Sequence, residues 1–181
     1  KSSLSLNLLS SGEINYIWER HILDSLWPLV LGVLEPPCSV LDVGSGAGFP
    51  GVPMAISDED ARITMVESVG KKARFVERAI NRLGVENANI VNCRIEHYKL
   101  LEAFDYCTSR AFASIQKSLP MFSRFVKRDG KILFFKGPDA AREISEAEKF
   151  QAELSLSVPQ IIEIPSKYSS RGFNLVVYKR L

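Results

Sequence analysis

Ser39-Val40-Leu41-Asp42-Val43-Gly44-Ser45-Gly46-Ala47-Gly48-Phe49-Pro50-Gly51 is the stretch that decides the fold. Residues 40–43 form a short apolar run of the length of a buried parallel strand. A glycine-dense turn follows, and residues 52–56 then begin a helix. Strand, glycine turn and helix N-terminus together make a cradle for a small ligand. Glycine supplies positive φ and removes the Cβ that would hold a ligand off the backbone. The helix start offers N–H donors that have no partner within the helix. Gly46-Ala47-Gly48-Phe49-Pro50-Gly51 also satisfies G-x-G-x-x-G, the dinucleotide fingerprint. That fingerprint should start where the strand ends, and Gly44 already ends it. In the strand's own register the pattern is Asp42-x-Gly44-x-Gly46-x-Gly48. A carboxylate beside a pyrophosphate is repelled by it, whereas it suits a ligand with ammonium and sulfonium charges. The stretch therefore favours S-adenosylmethionine (SAM) over NAD.

The chain has 181 residues, 46% of them hydrophobic and 24% charged, so a single globular domain with a substantial core is expected over 1–181. Residues 1–37 read as an N-terminal helical cap and 38–181 as the sheet-bearing core. The net charge of +2 neither excludes nor requires a nucleic-acid partner, because a basic face can sit on a near-neutral protein. Cys38, Cys93 and Cys107 are isolated from one another and fit no zinc or disulfide spacing. Cys93 and Cys107 are expected to be buried thiols, in keeping with a reducing cytoplasm. No apolar run has the length of a membrane span, and no signal-peptide pattern is present.

In chain order, Ser10-Ser11-Gly12-Glu13 reads as a capping box. The helix it begins would place Ile14, Ile17, Trp18, His21, Ile22 and Leu26 on one face, with Arg20 and Asp24 as an i,i+4 pair. His21 is read as structural. Strands are expected at 62–66, 89–93, 104–109, 131–135, 158–164 and 174–179. Helices are expected over 70–83, from Ser114 through Leu119, Phe122 and Val126, and over 139–154, with a turn at Asp129-Gly130. Glu67 stands at the end of the second strand, where a carboxylate accepts hydrogen bonds from ribose hydroxyls of either NAD or SAM. The 70–83 helix should bury Val76, Ala79, Ile80 and Leu83 and present Lys71, Lys72, Arg74, Arg78 and Arg82, some of them to phosphates. Strand and helix alternate five times, and the last two strands are joined only by a loop. The fold class is thus α/β and Rossmann-like, with a mostly parallel seven-stranded sheet, helices on both faces and the last strand antiparallel. A nicotinamide-binding domain would keep alternating, so this ending again favours SAM.

Asp42-x-Gly44-x-Gly46-x-Gly48 with Glu67 resembles the class I SAM-dependent methyltransferases. Four segments resemble, more narrowly, the glucose-inhibited division protein B family of bacterial 16S ribosomal RNA methyltransferases. They are Glu19-Arg20-His21-Ile22-Leu23-Asp24-Ser25-Leu26, the run from Asp42 to Pro53, Ser109-Arg110-Ala111-Phe112-Ala113, and Lys136-Gly137. The resemblance implies methyl transfer from SAM to N7 of a guanine in the decoding-region loop of 16S rRNA, within the small ribosomal subunit or its precursor. It maps SAM contacts onto Gly44, Phe49, Ile95, Glu96 and Arg110. Asp42, Gly46, Gly48 and Glu67 follow from the wider superfamily pattern. Glu67 is then expected at the ribose and Ile95-Glu96 at the adenine. The family carries an extra N-terminal helix that this sequence is expected to lack. A monomer is expected, with no metal.

The chemistry agrees with this reading. Guanine N7 has an in-plane lone pair and no proton, so its methylation needs no general base. Amine methylation usually relies on an Asp/Asn-Pro-Pro-Tyr/Phe motif after the fourth strand, but that place holds Ser109-Arg110-Ala111-Phe112. Methylation of pyrimidine carbon 5 needs a cysteine nucleophile, and Cys107 lies inside a strand. Arg110 and Lys136, at strand ends, are candidates to hold the substrate's phosphate or its O6/N7 edge, or else to brace their loops. Phe112 is a candidate to stack on the base or to belong to the core. A small-molecule or protein methyltransferase, and a non-catalytic SAM-binding module, are the alternatives.

Overall fold

The computed structural model describes residues 15–169 and 172–181. Seven strands form one sheet in the order β3-β2-β1-β4-β5-β7-β6. They are β1 (Cys38–Val43), β2 (Ala61–Val66), β3 (Ala88–Val91), β4 (Phe104–Arg110), β5 (Val126–Lys136), β6 (Gln160–Ile164) and β7 (Phe173–Lys179). β1 lies at the centre and pairs in parallel with both β2 and β4. β7 is antiparallel to both its neighbours, β5 and β6. The short β6–β7 loop dictates that reversal, because a parallel return would need a crossover.

The strands alternate between two cores, as residues spaced by two must. Val40, Ile63, Met65, Leu133 and Phe135 bury against one layer; Leu41, Val43, Cys107, Ile132 and Phe134 bury against the other. The helices are α1 (Asp24–Val30), α2 (Gly51–Ser57), α3 (Gly70–Leu83), α4 (Ile115–Phe122), α5 (Ala140–Ala147) and α6 (Lys149–Glu153). Ala147 is buried with Phe122 and Phe134 in the second core, whereas Met54, Val76 and Ile80 belong to the first. The helices therefore cover both faces.

Several details differ from the sequence expectation. Residues 1–14 lie outside the described residues, so the capping box and Ile14 are not placed. Trp18–Leu23 is a π-helical turn that runs directly into α1. A π turn has more residues than an α turn, so the 3.6-residue stripe loses register. Trp18 is 66% exposed, and the buried side of α1 is Asp24, Ser25 and Pro28. Asp24 pairs with Arg110, while the Arg20 guanidinium lies over the Tyr16 ring.

α3 has the predicted bounds and ends at Gly84 in the left-handed conformation. It buries Ala73, Val76 and Ile80, leaving Leu83 61% exposed. Asp129-Gly130 is not a free turn. It is an irregularity within β5, where the register shifts between Phe104↔Val126 and Tyr106↔Lys131. The Asp129 N–H and the Gly130 carbonyl both bond to Arg180. The helix from Ser114 ends at Phe122, and Val126 opens β5 instead, paired with Phe104. The expected 139–154 helix divides at Glu148, whose backbone stays helical. Cys107 is buried, but Cys93 is only partly so.

Candidate cofactor and substrate site

The sheet order reverses between β1 and β4, and ligands of open α/β sheets bind at the carboxyl ends of strands beside such a reversal. Most of the residues singled out in the sequence converge there. Gly44, Gly46 and Gly48 all have positive φ, at 71°, 58° and 93°. At Gly44 the requirement is double, because a Cβ would lie 2.6 Å from Phe112 Cδ2. The loop closes on itself through the Gly48 and Phe49 N–H groups, which donate to the Ser45 carbonyl at 2.8 and 3.0 Å.

Two carboxylates brace this loop. Asp42 is fully buried, and its Oδ2 accepts the Gly51 N–H at 3.0 Å. Its Oδ1 has no hydrogen-bond partner among the described residues. Burial pushes the Asp42 carboxyl up to about 7, the Gly51 N–H pulls it back, and nearby Glu67 adds to the rise. Asp42 thus sits in the core beneath the loop and holds its Gly51 end. Glu67 is also buried. Its Oε2 accepts the Gly46 N–H at 2.9 Å and its Oε1 the Val69 N–H at 2.8 Å. The same carboxylate that stands at the expected ribose position therefore ties the glycine loop to the start of α3.

Ile95 and Glu96 lie in a 3-10 turn, Ile95–His97, after β3. Ile95 is buried and Glu96 is exposed. A cavity of about 280 Å³ opens between this turn and the glycine loop. Val43, Gly44, Val66, Ile95 and Phe112 give it apolar walls, and Ser68, Arg94 and Glu96 a polar rim. A flat heteroaromatic ring suits such a slot, a carboxylate at the end of β2 suits ribose hydroxyls, and the Cβ-free loop allows close approach. The residues fit SAM.

Phe49 does not line this cavity; its ring lies 5.1 Å from that of His21. His21 belongs to a second cavity, of about 460 Å³, lined by Arg20, Asp24, Arg110, Lys136 and Phe173 among others. Arg110 turns into the N-terminal segment. It donates to the Arg20 and His21 carbonyls and pairs with Asp24 Oδ2 at 3.4 Å. Burial raises the Asp24 carboxyl, and Ser169 and Arg110 oppose that rise. Lys136 Nζ donates to the Ala113 carbonyl at 2.7 Å and pairs with Glu143 Oε2 at 2.8 Å. Both basic residues thus line the second cavity while also holding structure together. Phe112 does not enter that cavity; it lies on Gly44 and stacks obliquely on Phe122. Cys107 is buried, and burial raises its thiol well above its ordinary range. The partners Asp24 and Glu143 were not evident in the sequence, since 86 residues separate Asp24 from Arg110. Cys93 and Ser68 also wall the first cavity, and nothing in the sequence beyond their closeness to Ile95 and Glu67 marks them.

Likeness to known proteins extends over the chain as a whole. A family model described as GidB: rRNA small subunit methyltransferase G matches residues 1–169. A "Ribosomal RNA small subunit methyltransferase G" of Clostridium beijerinckii is 32% identical over 180 residues, covering 97% of this chain and 75% of that protein. One from Solibacter usitatus is 37% identical over 154 residues, covering 84% and 72%. Among solved structures, a SAM-dependent methyltransferase from Aquifex aeolicus aligns with a TM-score of 0.68 at 18% identity, covering 99% of this chain and 97% of that one. The tRNA (m1A58) methyltransferase TrmI from Aquifex aeolicus aligns with a TM-score of 0.69 at 15% identity, covering 88% and 68%. At these identities the structural likeness shows the fold alone, that of the class I SAM methyltransferases. With a Cβ-free cradle at the sheet's reversal point and a family match across nearly the whole chain, the chain belongs to the GidB family, the rRNA small subunit methyltransferases G.

Proposed function

We propose that this chain transfers the methyl group of SAM to N7 of a guanine in the decoding-region loop of 16S rRNA, presented by the small ribosomal subunit or its precursor. The observation that carries this reading is the placement, at the carboxyl ends of β1, β4 and β5, of the SAM-fitting cradle with Phe112 in its wall and, from the adjoining Ala111 onward, a cavity bordered by Arg20, Arg110 and Lys136, in a chain of this family. When bound, SAM supplies an electrophilic methyl group on its sulfonium. Gly44, Gly46 and Gly48 leave room for its close approach, Glu67 is placed for the ribose, and Ile95 and Phe112 wall the adenine slot. Arg110 and Lys136 are assigned to the substrate side, facing the guanine O6/N7 edge or a neighbouring phosphate.

Guanine N7 presents a lone pair and no proton, so the residues need only orient the base and keep water out. The surroundings agree with that economy. Cys107 is sealed within the sheet and cannot act as a nucleophile. The residues that follow β4 are held by Arg110 and Lys136 instead of offering amine acceptors. The base lies in folded rRNA and must be unstacked to reach the site, so the substrate is structured RNA and not a linear sequence. No described helix is long and apolar enough to cross a membrane. We assign the chain to the cytoplasm, acting as a monomer on the subunit.

The test is incubation with methyl-labelled SAM and undermodified 30S subunits, followed by chemical cleavage at 7-methylguanine. One labelled and cleaved guanine in the decoding-region loop is the expected result. SAM binding without label in the RNA would overturn the substrate assignment.

A further inference from the structure

We infer that Glu143 is a positioning residue for the cofactor side of the site, acting through the Arg110–Ala113 turn on Phe112. The inference rests on the reading of the cavity beside Gly44 as the SAM slot. The turn leaves β4 at Arg110 and enters α4 at Ile115. Its first residue, Ala111, has φ of 53°, a left-handed conformation that a Cβ disfavours. Such a turn keeps its shape only when its surroundings hold it.

The hold on its exit side comes from Glu143. Glu143 Oε2 accepts the Ile115 N–H at 2.8 Å, at the first residue of α4, and pairs with Lys136 Nζ at 2.8 Å. Lys136 Nζ in turn donates to the Ala113 carbonyl at 2.7 Å. One carboxylate oxygen thus joins α5, the end of β5 and both residues that flank Ser114. The two side chains are only 12% and 20% exposed, so water screens the pair less than it would a surface ion pair. The entry side is held by Arg110 on the N-terminal segment. Between the two anchors stands Phe112, in the position a Gly44 side chain would otherwise take and at the wall of the slot with Ile95. Glu143 does not line that slot. Its removal leaves the Ile115 N–H without its carboxylate and Lys136 without its counter-charge, which frees the turn to relax and Phe112 to leave the wall.

The experiment is a double-mutant cycle on the full chain, reading SAM affinity by calorimetry and stability by thermal unfolding. Glu143→Ala should raise the Kd for SAM about tenfold through lost preorganisation. Glu143→Gln, which keeps an acceptor for the Ile115 N–H, should raise it less. In a Phe112→Ala background the Glu143→Ala effect on Kd should vanish, while its effect on the unfolding midpoint persists. A merely structural Glu143 would change Kd by the same factor in both backgrounds, and that result overturns the inference. So does an unchanged Kd in Glu143→Ala. Arg142→Ala, on the same helix but exposed, should leave Kd unchanged. Wild-type chain that binds SAM but does not label 30S subunits refutes the rRNA reading alone; wild-type chain that does not bind SAM refutes both.

Discussion

Gly44 and Asp42 show how single residues set this site. Gly44→Ala would place a methyl group 2.6 Å from the Phe112 ring and impose a left-handed residue costing about 1–2 kcal/mol. SAM binding by calorimetry should be lost while the chain stays folded, because the Phe112 ring can swing away. Asp42 predicts a pH dependence of stability. Its carboxyl stands near 7 in the folded chain against an ordinary 3.8, so folding favours the protonated form. That contribution is full below about pH 4 and is lost as pH rises through about 7, worth up to about 4 kcal/mol. Thermal unfolding of the wild type should therefore fall between pH 5 and 8 relative to Asp42→Asn, which has no such proton. Parallel pH profiles would refute the assignment.

Among the elements, α4 and the π turn illustrate opposite outcomes of reading periodicity. Ile115, Leu119 and Phe122 recur at helical spacing, and all three are fully buried. Leu119→Ala should cost about 2–5 kcal/mol in denaturant unfolding, as a core cavity does. Lys117→Ala, on the exposed side of the same helix, should stay within about 0.5 kcal/mol. Trp18–Leu23 defeats the same logic. Its wider turn shifts every later residue, and the carboxylate of Asp24 is buried where the pattern called for Leu26. A buried carboxylate needs a partner, and Arg110 is the one that β4 delivers. β5 carries the expected glycine signal at Gly130 as a bulge, because Arg180 after β7 pairs with the residues that would otherwise have turned.

At the scale of the whole molecule, a small net positive charge hides an uneven distribution. Arg20, Arg110 and Lys136 border the second cavity, and α3 begins beside the cradle with Lys71 and Arg74 exposed. If these meet RNA phosphates, log affinity for 30S subunits should fall linearly with log salt. Lys71→Ala with Arg74→Ala should reduce that slope by about 1–2, leaving the Kd for SAM as it was. A slope unchanged by the pair would place the RNA on another face.

Local rules determined much of this protein. Apolar runs specified β1, β2 and β4, and Gly44 closed the first of them. The 3.6-residue stripe and Gly84 bounded α3, and the loop-only link between the last strands set the antiparallel β7. The glycine register at 44, 46 and 48, with Glu67 after β2, located the cradle, because positive φ and strand ends are properties of short segments. Tertiary structure alone decided which charges meet. Arg110 with Asp24, Lys136 with Glu143, and Phe112 with Gly44 join residues that are distant along the chain. Sheet order brings them together, and burial then compels each charge to find a partner. No local pattern encodes such encounters, since they depend on where the seven strands place their ends.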